Sequence, residues 1–133
     1  MSIQATADRF APYVLSILRI MSALLLLQHG FSKFFAWPMV MKQPAMFSLF
    51  WWAGAIEIVG GVLLLFGLFT RPVAFILSGE LAFAYFIGHA PKSFFPLLNN
   101  GEAAVLFCFV FLYLAFAGGG RWGIDAMLGR KGG

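Results

Sequence analysis

Four long apolar runs, at 13–35, 48–69, 72–88 and 101–117, divide the chain, and the stretches between them collect prolines, asparagines and lysines. Each run is near the roughly 20 residues that a helix needs to cross about 30 Å of hydrocarbon. Polar and apolar residues do not alternate within them, as they would in lipid-facing barrel strands. Backbone groups in lipid must be satisfied internally, which leaves helices. The pattern predicts an all-α, polytopic membrane protein: a four-transmembrane-helix bundle formed by residues 1–133 as one domain, with short tails at 1–11 and 118–133. The third run is short for a crossing.

The breaks between runs carry their own signals. "AWPMVMKQP" ends the first helix in an interfacial loop, with Trp37 as one anchor and Trp51 and Trp52 as others where the second helix opens. "FTRPV" reads as a tight turn with Pro72 at the first position of helix three. "GHAPKSFFPLLNNG" reads as an irregular loop, because two prolines cannot sustain a regular helix there. No small-x-small cleavage site follows the first run, so it is expected to stay as an uncleaved span.

Composition strengthens the membrane assignment. The 133 residues are 62% hydrophobic and 11% charged, against about 45–50% and 25% in ordinary soluble domains. Lipid must be the solvent for that much apolar surface. The net charge of +4 is positional and does not mark a nucleic-acid binder. With four spans, Arg9, Arg71, Arg121, Arg130 and Lys131 fall on one side, and Lys33, Lys42 and Lys92 on the other. Five against three puts both termini in the cytoplasm, as expected of a multi-pass protein of the bacterial inner membrane.

Charge at membrane depth supplies the candidate chemistry. Only five acidic residues exist, and Glu57, Glu80 and Glu102 fall in three different spans, with Arg19 and His29 in the first. A charge near the bilayer centre costs at least about 2.5–3.5 kcal/mol, so such groups face inward and pair. At 1.5 Å per residue, Arg19 lies about 9 Å from one end of its span, Glu80 about 12 Å and Glu57 about 13 Å from theirs. Arg19 is therefore the expected counter-ion of Glu80, Glu57 or both. On helix one, Arg19, Ser22, Ala23, Leu26, His29, Gly30 and Lys33 share an arc of about 120°. Small residues beside Glu57 (Gly54, Gly61) and Glu80 (Ala84, Gly88) favour close helix packing. Two readings of Arg19, Glu57 and Glu80 stand side by side: an ion cluster that only fixes packing, or a site in which a carboxyl exchanges protons and donates to a carbonyl-bearing ligand.

A second polar group is expected at the outer end: His29, Lys33, His89, Asn100 and Glu102. Asn99 or Asn100 can cap helix four, and Glu102 in its first turn meets a favourable dipole. His29 and His89 read as interfacial hydrogen-bonders. No metal-ligand spacing, P-loop, GxGxxG, haem motif or Ser/His/Asp arrangement occurs. Cys108 is the only cysteine, which rules out an internal disulfide, and it reads as a small packing residue. The 17 phenylalanines read as lipid contact and core.

Several motifs together resemble the DoxX family of small bacterial membrane proteins: "LRIMSALLLLQHGFSKF", "EIVGGVLLLFGLFTRPVA", "NNGEAAVLF" and "GGGRWGID". The similarity runs from about Tyr13 to Leu128, with Gly123 where the family often has serine. The resemblance implies a four-helix bundle in the cytoplasmic membrane in which Arg19, His29, Lys33, Glu57, Arg71, Glu80 and Glu102 matter. It also implies a link to thiosulfate:quinone oxidoreduction or to redox and thiol stress. The chain carries no cofactor of its own, so an enzymatic role would be that of an oxidoreductase subunit, with quinone as ligand and redox centres in a partner protein. Two other functions compete: a scaffold that assembles membrane proteins, and a binding or transport module for a small apolar or amphipathic molecule. Membrane lipids are expected partners, and self-association is left open.

Overall fold

In the computed structural model, which describes residues 2–130, every regular element is helical. Helix α1 spans Ile3–Phe35, α2 Leu49–Phe66, α3 Thr70–Gly88, α4 Pro96–Asn99, α5 Glu102–Ala117 and α6 Ile124–Met127. A 3₁₀ turn, Ala90–Lys92, follows α3. By length and composition α1, α2 and the segment Thr70–Lys92 are long and apolar enough to cross a membrane. At 16 residues, about 24 Å, α5 is the shorter apolar helix.

Three expectations change. The tail at 1–11 is helical from Ile3 onward: the Ser2 hydroxyl accepts from the Ala5 amide at 3.1 Å and caps α1. Hydropathy marks the lipid-length part of a helix, whereas capping decides where it begins. The loop after α3 is likewise not irregular throughout. Pro91 lies in the 3₁₀ turn and Pro96 opens α4, positions where a missing N–H costs nothing. Pro72 stands at the third position of α3 rather than the first, still within the turn that needs no intrahelical donor.

The packing is pairwise, α1 against α2 and α3 against α5, and the two pairs meet at the α2–α3 seam. Ala23, Leu26, Leu64, Leu77, Phe111 and Leu114 form the fully buried core. In the α1–α2 pair the backbones approach closely: a Cβ added at Gly30 would lie 2.7 Å from Ile58 Cγ1, and one at Gly61 2.7 Å from Leu27 Cδ2. Outward, Val59, Phe83 and Phe116 are 61–74% exposed, an apolar surface for lipid to cover. The α2–α3 turn and the segment after α5 gather at one end, the turn end; the loops 36–48 and 89–101 gather at the other, the loop end.

Candidate functional site

Helix α1 runs antiparallel to α2 with Gly30 beside Glu57 and Ile58, and Lys33 beside Gly54. That register sets the Lys33 stem one helical turn from Glu57. The Lys33 ammonium donates to both carboxylate oxygens, at 2.8 and 2.7 Å. Glu57 is 2% exposed, and it lies about 12 Å along α2 from Leu49, near mid-helix. The carboxyl group of Glu80 approaches from α3, with that of Glu57 and the Lys33 ammonium as its charged neighbours. Both Glu80 oxygens are buried and meet no N–H or O–H donor among the described residues. An acceptor thus faces an acceptor.

Lys33 and Glu80 of this cluster line a crevice between α2 and α3, of about 380 Å³. Its other walls are apolar, Phe50, Trp52, Ile56, Ile76, Phe83 and Ile87 among them. Gly79 and Gly88 line it too, and a Cβ added at either meets nothing within 4 Å. The volume is within the range of small-molecule sites, roughly 300–1,000 Å³.

Arg19 does not join Glu57 and Glu80, contrary to the expected convergence. Its guanidinium donates to the carbonyls of Gly119 and Trp122 beyond α5. The reason is register. Glu57 is level with Gly30, whereas Arg19, about 17 Å further down α1, is level with Gly67 at the α2–α3 turn. Depth counted separately along each helix misses this offset. The counter-ion of Glu57 is Lys33, whose stem reaches inward from the loop end.

At the turn end, residues 118–130 form a strap that closes the helix ends. Ser16 Oγ donates to the Gly119 carbonyl at 2.9 Å and accepts from the Trp122 amide at 2.9 Å. The Arg121 amide donates to the Pro12 carbonyl. Gly120 has φ +81°, and a Cβ there would lie 2.3 Å from Ser16 Oγ. Asp125 accepts from the amides of Phe69 (3.1 Å) and Thr70 (3.0 Å), capping α3 from 55 residues away. Its own amide donates to Gly67, and Arg130 donates to its Oδ1 at 2.9 Å. Burial raises the Asp125 pKa; the Thr70 amide, Arg130 and the Phe69 amide outweigh it and hold the carboxyl below its ordinary value. Arg71 donates to the Phe116 carbonyl at the C-terminus of α5.

The expected outer group is dispersed. Lys33 belongs to the central cluster, and His29 packs its ring edge-on against Phe107 of α5, 5.8 Å between centroids. His89 Nδ1 is 3.0 Å from the Asn99 carbonyl, Asn100 is an exposed left-handed residue ending α4, and Glu102 is exposed in the first turn of α5. Asn99 organises this loop instead: fully buried, it donates to the Tyr85 hydroxyl and the Ser93 carbonyl and accepts from the Gly101 amide. Ser78 donates to the Cys108 carbonyl at 2.7 Å where α3 meets α5. Among the described residues no group of three or more His, Cys, Asp or Glu is disposed to hold a metal ion. Ser16 and Asp125 are the residues that sequence reasoning missed, and Asn99, expected only as a possible cap of helix four, also ties the loop to Tyr85 and Ser93. "GGG" with an aspartate five residues after its last glycine was the signal for Ser16 and Asp125, since adjacent glycines permit a chain reversal onto a neighbouring helix.

The family model described as DoxX matches residues 14–90, which include Arg19, Lys33, Glu57 and Glu80. A protein of Haemophilus influenzae, described as an uncharacterized protein, is 42% identical over 134 residues, covering 93% of this chain and 97% of its own length. No solved structure matches the chain.

Proposed function

The chain belongs to the DoxX family of membrane proteins, and we propose that it is a ligand-binding subunit of the bacterial cytoplasmic membrane whose α2–α3 crevice takes a small amphipathic molecule of the quinone class. The topology that goes with this reading has four crossings, by α1, α2, α3 and α5, and both termini on the cytoplasmic side. Arg9, Arg71, Arg121 and Arg130 then lie at the cytoplasmic turn end, against Lys33, Lys42 and Lys92 at the other; Lys131 lies outside the described residues.

One observation carries the reading: an apolar crevice in which Lys33 and Glu80 are the charged lining residues, with the Glu80 oxygens meeting no donor among the described residues. Buried polar groups without partners are rare and ask for an explanation. Two carboxyls and one ammonium enclosed together are neutral only if the carboxyls share a proton. With that proton, Glu80 becomes a donor beside the Lys33 ammonium, and both are suited to the carbonyl or hydroxyl of a ring. Aromatic and aliphatic walls accept the ring and its tail, and Gly79 and Gly88 leave the α3 wall open. A bound quinone would supply two-electron, two-proton chemistry, and a partner protein would exchange the electrons. In that setting Lys33 pairs with Glu57, and Glu80 presents the proton to the ring.

Solvent extraction of the gently purified protein, followed by chromatography, measures bound quinone per chain. The wild type is expected to retain quinone. Lys33→Met removes a charged donor and Gly79→Leu fills the crevice, and each is expected to lower occupancy about tenfold or more. A wild type free of quinone, or variants as fully occupied as the wild type, would overturn the assignment.

A further inference from the structure

The central crevice leaves a second cavity unexplained. A groove of about 570 Å³ opens at the turn end between the N-terminal half of α1, the end of α5 and the strap. Pro12, Leu15, Tyr113 and Ala117 make its apolar sides, and Arg121 and Arg130 line it from the strap. The geometry points to a bound anionic phospholipid, its phosphate against Arg121 and Arg130 and its acyl chain along Leu15 and Tyr113.

Depth supports this. Helix α2 is about 27 Å long, near the hydrocarbon thickness, so the α2–α3 turn and the strap bonded to it lie where hydrocarbon meets headgroups. Tyr113 is four residues, about 6 Å, deeper along α5 than Ala117. The groove is thus apolar on its acyl side and basic on its headgroup side.

Charge decides which lipid. The Arg130 guanidinium is shared, one nitrogen on Asp125 and its plane 4.7 Å over the Phe69 ring. Both Asp125 oxygens are taken up by the Phe69 and Thr70 amides and by Arg130. The exposed Arg121 side chain makes no hydrogen bond or ion pair among the described residues, although its backbone is pinned to the Pro12 carbonyl. One basic group therefore stands uncompensated at a fixed place over the groove. A basic residue near an anionic membrane surface contributes about 1 kcal/mol, which corresponds to roughly a fivefold preference.

The test uses the full chain, stripped of lipid in detergent and titrated with phosphatidylglycerol or phosphatidylethanolamine, with retained lipid read by native mass spectrometry. The wild type is expected to hold phosphatidylglycerol roughly fivefold better, Arg121→Lys to keep that preference and Arg121→Gln to lose it. Ala117→Trp, which narrows the groove with charge unchanged, is expected to lose binding of both lipids. Millimolar inorganic phosphate should leave the bound lipid in place. Equal retention of the two lipids by the wild type, an unaltered preference in Arg121→Gln, or displacement by phosphate would each overturn the assignment. The groove shares no residue with the quinone crevice, so either site stands if the other fails.

Discussion

The two polar clusters on α1 are built on opposite principles. At the turn end, Arg19, Ser16 and Asp125 direct their hydrogen bonds mostly to backbone groups of the strap and the α2–α3 turn, and among the buried side-chain atoms of the described residues there, Arg19 Nε and the Thr70 hydroxyl are left without partners. At mid-helix, Lys33 and Glu57 satisfy each other while Glu80 faces a carboxylate beside an apolar crevice. Saturated hydrogen bonding to main chain is the mark of a fastening. Surplus acceptors next to open space are what the proposed ligand site would use. The same helix carries both, about 21 Å apart from Arg19 to Lys33.

The contrast breaks most severely at the fastening. Arg19→Met strips the carbonyls of Gly119 and Trp122 of charged donors, and about 4 kcal/mol should be lost in denaturant unfolding in mixed micelles. Next comes the asymmetry of the carboxyls. Glu57→Gln leaves the Lys33 ammonium buried without its counter-ion and should cost about 3 kcal/mol in the same assay. Glu80→Gln, which on the proposed reading replaces a protonated carboxyl by a neutral isostere, should cost under about 1 kcal/mol. Equal losses in the two variants would remove the distinction between them.

Gly120→Ala is expected to cost about 2 kcal/mol, because φ is +81° and the new methyl meets Ser16 Oγ and the Pro12 carbonyl. Asp125→Asn weakens the cap of α3 by about 1 kcal/mol. Folding lowers the Asp125 pKa, so the folded state binds fewer protons there. The stability it adds is complete above the unfolded value of about 3.9 and is lost as pH falls through the lower folded value. Melting temperatures of wild type and Asp125→Asn should therefore converge only below about pH 4. The smallest effect sharpens the comparison most: Gly79→Leu should shift stability by less than about 0.5 kcal/mol while it empties the crevice, since its Cβ meets nothing.

Much of this was legible in the chain. Apolar runs located α2, α3 and α5 to within a few residues, because lipid demands continuous hydrophobicity over a fixed length. Glu57 and Glu80 do lie as charged neighbours, but only on the Glu57 face do the small residues Gly54 and Gly61 mark a packed side; Ala84 and Gly88 beside Glu80 line the open crevice. Arg19 was placed with the wrong partners because the offset between α1 and α2 is set by interlocking side chains such as Ile58 over Gly30, which no single-helix count contains. Lys33 was assigned by its Cα to the loop end, whereas its four-carbon stem carries the charge inward. Asp125 escaped notice because its role spans 55 residues and depends on a backbone reversal that hydropathy does not register.

The reach of Asp125 also bears on movement. Its three backbone bonds, to Gly67, Phe69 and Thr70, all fall on the hairpin joining α2 to α3. That hairpin is clamped at its bend, while toward its tips the crevice parts α2 from α3, like the arms of a pair of tweezers. Lateral passage of a guest from the bilayer would then splay the tips about a stationary bend, and fastening the bend harder would leave the aperture free to work.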